Sequence, residues 1–207
     1  MTNRPADKGR IAENAVVSYL AEHGFPHAER RRLQGINDKG DIISSPGLVW
    51  EVKYAGTTKL RLTGWMKETR DEVANAKADF GILVIKQPRI GEKSAGRFLA
   101  VMDKEAFSRL IMQAVEDGLD WGGMPVFAHS NAAVSTLCQA VDQIHPDHHY
   151  WRVEFPARNG QHGHQGLVVM NLRQVVELVR FAGYGDPVKC NTSTGIHAVP
   201  HRGCILR

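Results

Sequence analysis

Gly40-Asp41-Ile42-Ile43-Ser44-Ser45-Pro46-Gly47-Leu48-Val49-Trp50-Glu51-Val52-Lys53 is the stretch on which the reading of the chain turns. Two short apolar runs, residues 41–44 and 48–53, flank Ser45-Pro46-Gly47, whose residue types favour a tight turn, so the segment is expected to form a β-hairpin. Side chains alternate faces along a strand, which puts Glu51 and Lys53 on one side and Val52 on the other. Closing the hairpin brings Asp41 across from them. The result is two carboxylates and one ammonium converging at a sheet edge. Hard divalent cations such as Mg²⁺ take carboxylate oxygens plus water in an octahedral shell. A bound metal lowers the pKa of water and stabilises charge developing on a phosphate. A lysine beside it can orient or deprotonate the attacking water, or pair with the phosphate itself.

The chain around this hairpin alternates helical and extended patterns. Ile11, Ala12, Ala15, Val16, Tyr19 and Leu20 follow a 3.6-residue period, so residues 7–23 read as a helix stopped by Gly24. Arg30-Arg31-Arg32-Leu33 then leads into a polar loop over 34–40. A second helix is expected from Thr63 as N-cap through Trp65, Val73 and Ala76. Residues 80–86 form a continuous apolar run and read as a buried strand, 89–96 as a loop and 97–102 as another strand. Asp103 is expected to cap a helix carrying Phe107, Leu110, Ile111, Ala114 and Val115. The order α-β-β-β-α-β-β-α argues for an α/β fold with a mixed sheet flanked by helices over residues 1–118.

Residues 119–207 read as an α/β extension: a linker at 121–125, a helix over 130–144, a hairpin over 150–170, a helix over 171–181 and an irregular tail. Phe98-Leu99-Ala100-Val101-Met102-Asp103 and Gly166-Leu167-Val168-Val169-Met170-Asn171 echo one another, as strand–cap–helix units do.

Gly40-Asp41-Ile42, a nine-residue spacer and Glu51-Val52-Lys53 together resemble the PD-(D/E)xK nuclease superfamily. Glu13 on the first helix, Gly24-Phe25 after it and the triple arginine before the hairpin are similar to the archaeal-type and phage Holliday junction resolvases of that group. The resemblance covers about residues 8–115. It implies a restriction-endonuclease-like core with Asp41, Glu51 and Glu13 as ligands of Mg²⁺, for which Mn²⁺ can substitute, and Lys53 as the catalytic lysine. It further implies a homodimer acting on DNA, branched DNA above all. Gly40 stands where the superfamily's nominal proline would, and Asp38 lies close enough to compete with Asp41. Asp41 is preferred because it leads directly into an apolar strand. Two alternatives stay open: the same chemistry on flapped, damaged or sequence-specific duplex DNA, and a non-catalytic DNA-binding protein of the same fold.

Charge is distributed in keeping with a polyanion-binding first half. Residues 1–110 carry 19 Lys and Arg against 14 Asp and Glu, while the remainder carries 7 against 8. Arg30, Arg31, Arg32, Lys39 and Lys67 are the candidate phosphate contacts. Lys67 or Glu68, at the start of the second helix, is a further polar candidate for the centre. Cys138, Cys190 and Cys204 are odd in number and widely spaced, which argues against a disulfide framework. Cys190, His197, His201 and Cys204 are the residues a structural zinc would use, although Pro200 between the histidines disfavours a helix there. No apolar run approaches a membrane span and the first residues lack a signal-peptide h-region, so a cytoplasmic location is expected.

Overall fold

The computed structural model describes residues 5–31, 38–55, 62–116, 125–127, 152–154 and 166–186. Helix α1 (Pro5–Glu22) precedes three antiparallel strands, β1 (Glu29–Arg30), β2 (Ile42–Ile43) and β3 (Leu48–Tyr54). Helix α2 (Leu62–Ala76) then carries the chain across to β4 (Phe80–Lys86), which pairs parallel to β3 with Glu51 beside Leu83 and Lys53 beside Ile85. A crossover helix is what a parallel neighbour requires. A 3₁₀ stretch (Glu92–Arg97) leads into β5 (Leu99–Asp103) and α3 (Lys104–Glu116). Two short strands, β6 (Pro125–Phe127) and β7 (Arg152–Glu154), pair parallel to each other. Strand β8 (Leu167–Asn171) and α4 (Leu172–Phe181) follow. The main sheet runs β1-β2-β3-β4-β5-β8, so the molecule is α/β with a six-stranded mixed open sheet.

The two faces of the sheet differ in what they bury. Leu48, Trp50 and Val52 of β3, with Phe80, Ile82 and Val84 of β4, share one apolar core with Ala12, Val16 and Leu20 of α1 and with the inner faces of α3 and α4. The intervening residues of β3 and β4 face α2. At Gly81 a Cβ would lie 2.5 Å from Val73 Cγ2 and 2.9 Å from Thr69 Cγ2, so only glycine lets the helix sit this close. The hairpin between β2 and β3 forms as its residues predict, with Ile42 opposite Trp50. Trp50 is fully buried, donates from Nε1 to Ser44 Oγ at 2.7 Å and meets Phe25 edge-to-face.

Several expectations are corrected. The run over 167–170 does not close a hairpin with the strand at 152–154. It joins the main sheet antiparallel to β5, and β7 pairs with β6 instead. The reason is burial: Val168, Val169 and Met170 are sealed on both faces, which an isolated hairpin could not provide. The two echoing segments therefore lie side by side, with Val101 opposite Val169, each feeding a helix. Residues 89–96 are not wholly loop, since a 3₁₀ stretch begins at Glu92. Asp103 does stand directly before α3, where a cap is expected, and Arg70 grips its carboxylate with Nε at 2.9 Å and Nη2 at 2.5 Å. Helix α2 begins at Leu62, so Thr63 lies inside its first turn rather than capping it. Asn171, by contrast, does cap α4, its side chain accepting from the Gln174 backbone while the Gln174 side chain accepts from its own. The expected helix over 130–144 and the tail lie outside the described residues. Among the described residues no helix is long and apolar enough to cross a membrane.

Trp50 links both sides of the hairpin to the core. Trp50→Ala is expected to cost about 3–5 kcal/mol in urea denaturation. A loss below about 1 kcal/mol would mean that this face is not packed as described.

Candidate functional site

The site begins with backbone geometry. Gly40 has φ +91°, and a Cβ there would lie 2.8 Å from Val49 Cγ1 and 3.0 Å from the Trp50 carbonyl oxygen. Proline locks φ near −65° and cannot adopt this conformation, which accounts for glycine ahead of Asp41. The backbone N–H of Asp41 donates to the Trp50 carbonyl at 2.9 Å, and the Asp41 carbonyl accepts from Arg31 N–H at 2.7 Å. Asp41 lies just before the Ile42–Trp50 pair, and its side chain reaches that of Glu51. The Val52 N–H then donates to Asp41 Oδ2 at 2.8 Å, which fixes the carboxyl over β3.

Helix α2 reads β3 from the other side. It returns along the strand it has just left, so four residues of helix, about 6 Å, match two residues of strand, about 6.6 Å. Glu68 and Glu72 thus meet Lys53 and Glu51 in turn. Lys53 Nζ lies 2.5 Å from Glu51 Oε1 and 2.8 Å from Glu68 Oε2. Glu72 hydrogen bonds to Glu51, and Glu51 to Asp41, so three carboxyls form a continuous row. Glu51 and Glu72 are buried, at 4% and 6% exposure, and Glu72 Oε2 has no hydrogen-bond partner.

Crowding these groups out of water changes their acidity. Burial, then the Glu51 charge, pushes Asp41 from the ordinary 3.8 to about 7. Burial likewise lifts Glu51 to about 7 against the opposing pull of Lys53, and Glu72 to about 7. Burial works against the Lys53 charge too, but Glu51 and Glu68 outweigh it and hold the ammonium protonated well above the ordinary lysine range.

Of the residues expected from sequence, Asp41, Glu51 and Lys53 come together. Glu13 stands near enough to raise Asp41, but its own carboxylate is engaged by Arg30 at 2.6 Å from Nε and 2.5 Å from Nη2. Arg31 is half-buried with its Nε unpartnered. Arg32 lies outside the described residues, as do Cys190, His197, His201 and Cys204. Lys39 is half-buried beside the loop aspartate Asp38, whose Oδ1 accepts from the Lys39 backbone. Lys67 is exposed and paired with Asp71 at 2.6 Å, away from the carboxyl row. Glu68 touches Lys53, whereas Glu72 was not anticipated at all. The signal was available: Met66, Thr69 and Glu72 share the inward face of α2, and an acidic residue in that buried stripe has no structural reason to be there.

Among the described residues no group of three or more His, Cys, Asp or Glu side chains is already arranged as a metal cage. The carboxyls lean on one another instead. The donor set nevertheless suits a hard cation: all oxygen, largely desolvated, with one oxygen orphaned. In comparison with known proteins, no family model, curated protein or solved structure matches the chain.

The raised acidities carry a sign. A carboxyl bound to its proton more tightly when folded stabilises the fold below its unfolded pKa, and that stabilisation is lost as pH rises through the folded value. In EDTA, wild type should therefore lose stability relative to Asp41→Asn between pH 3.8 and about 7, with little change above. Urea denaturation of both proteins at several pH values checks this; a difference independent of pH would contradict the desolvated carboxyl row.

Proposed function

We propose that this chain is a metal-dependent DNA endonuclease of the PD-(D/E)xK type, acting on branched DNA such as a Holliday junction, and built on a restriction-endonuclease-like core. The observation that carries the reading is the meeting of the Asp41 and Glu51 carboxyls from the two arms of one hairpin, with Lys53 Nζ 2.5 Å from Glu51 Oε1. Such a set is costly to bury and contributes little to folding. Its presence in a desolvated cluster with strongly shifted acidities supports a catalytic role. The arrangement α-β-β-β-α-β, with the key residues just before β2 and on β3, supports the core assignment.

Asp41 and Glu51 would hold Mg²⁺, or Mn²⁺ in its place. Bound there, the ion would supply an acidified water and neutralise charge on the scissile phosphate. In the metal-free protein Glu51 and Glu68 hold Lys53 protonated; at the centre it would orient the attacking water or pair with a phosphate oxygen. Arg30 and Arg31 are the candidate contacts to the backbone of the substrate. Arg30 is held by Glu13 and is the natural guanidinium to transfer onto a phosphate, which frees the Glu13 carboxylate to join the metal's shell. Lys39 extends this surface, with Arg32 and Lys67 as outlying contacts. Two symmetric cuts in a four-way junction call for two copies of this site, hence a homodimer.

End-labelled four-way junction, flap and linear duplex DNA, each incubated with Mg²⁺, test the proposal. The expected result is paired symmetric nicks in the junction, reduced about 10²–10⁴-fold by Lys53→Ala and by Glu51→Ala. Cutting of all three substrates would widen the substrate class while keeping the chemistry. Junction binding without cutting of any substrate would overturn the catalytic reading in favour of a DNA-binding protein.

A further inference from the structure

Glu72 is the one group of the carboxyl row that the nuclease pattern does not account for. It comes from α2, nearly three turns into the crossover between the paired strands, and not from the sheet or from α1. Its position is set by the matched repeat of helix and strand: Glu68 is taken by Lys53, and one turn on Glu72 lies against Glu51. It is more than nine-tenths buried, yet Oε2 meets no donor. A buried carboxylate oxygen without a partner costs free energy unless something positive occupies the space beside it. Arg70, the nearest arginine on the same helix, is committed to Asp103, and Lys53 is divided between Glu51 and Glu68. Glu13, which the sequence nominates as third ligand, is in the opposite condition, with Arg30 neutralising it from two nitrogens.

We propose that Glu72 is an inner ligand of the divalent cation shared by Asp41 and Glu51, so that in the DNA-free protein, where Arg30 holds Glu13, the third carboxylate of the centre is supplied by α2. The inference rests on the metal-dependent reading above. Three carboxylates, from the residue before β2, from β3 and from α2, leave positions in an octahedral shell for water and a phosphate oxygen. The arrangement also explains why α2 carries acidic residues on the face it packs against the sheet: Glu68 positions the lysine and Glu72 the metal.

Mn²⁺ titration of the full-length protein, followed by calorimetry and by the electron paramagnetic resonance signal of the free ion, reads this without reference to activity. Glu72→Gln should weaken Mn²⁺ binding at least about tenfold while Glu13→Gln changes it less than about threefold, since removing even an outer partner of a metal ligand costs 10–100-fold. Thermal unfolding in EDTA checks that Glu72→Gln remains folded. If it does not, Glu72→Asp, which keeps the charge and shortens its reach, should weaken Mn²⁺ in the same direction. Wild-type affinity in Glu72→Gln, with Asp41→Asn impaired, would overturn the role of Glu72 and leave the nuclease reading standing. A wild-type protein that takes up no Mn²⁺ would overturn both.

Discussion

The register of one hairpin governs the rest of the molecule's chemistry. With Ile42 opposite Trp50, Asp41 donates its N–H to the Trp50 carbonyl, and the Val52 N–H holds the Asp41 carboxyl at 2.8 Å, beside that of Glu51. A slip of one residue would turn Trp50 away from α1 and carry Glu51 and Lys53 into the apolar core. Packing and chemistry therefore fix the same register from opposite faces. Trp50, Ile42 and Val52 anchor the core side, which allows polar groups on the α2 side to be held where they would not otherwise stay.

Those polar groups are a burden on the folded state. Asp41, Glu51 and Glu72 are pushed to about 7 chiefly by burial, so at neutral pH the metal-free protein balances partial protonation against unrelieved charge. Lys53 offsets only part of this, because Glu68 shares it. The apolar core under the sheet supplies the stability that tolerates the cluster, an arrangement typical of sites whose function conflicts with local stability.

Much of this was legible in the sequence, for identifiable reasons. The hairpin was readable because its turn residues and alternation are local signals, and β4 because its apolar run is unbroken. The capping of α4 by Asn171 is likewise local. The place of β8 beside β5 was not readable, because strand pairing across more than sixty residues depends on which edge remains unfilled once the hairpin and crossover are built. The position of Asp103 directly before α3 was legible, but the approach of Arg70 from α2 to its carboxylate was not, being tertiary. Glu72 was missed because a glutamate on a helix is ordinarily a solvated one. Its burial follows from the glycine at position 81, which draws α2 down onto the sheet. The Glu13–Arg30 pair also lies beyond sequence reasoning, since it depends on how α1 crosses β1.

The central claim is that a divalent cation belongs between Asp41 and Glu51. A crystal grown or soaked in Mn²⁺ and measured near the manganese absorption edge tests it most directly. An anomalous difference peak within ligand distance of both carboxylates, about 2.0–2.3 Å, is the predicted result. A well-ordered site without such a peak, its carboxyls still bonded to one another, would contradict it.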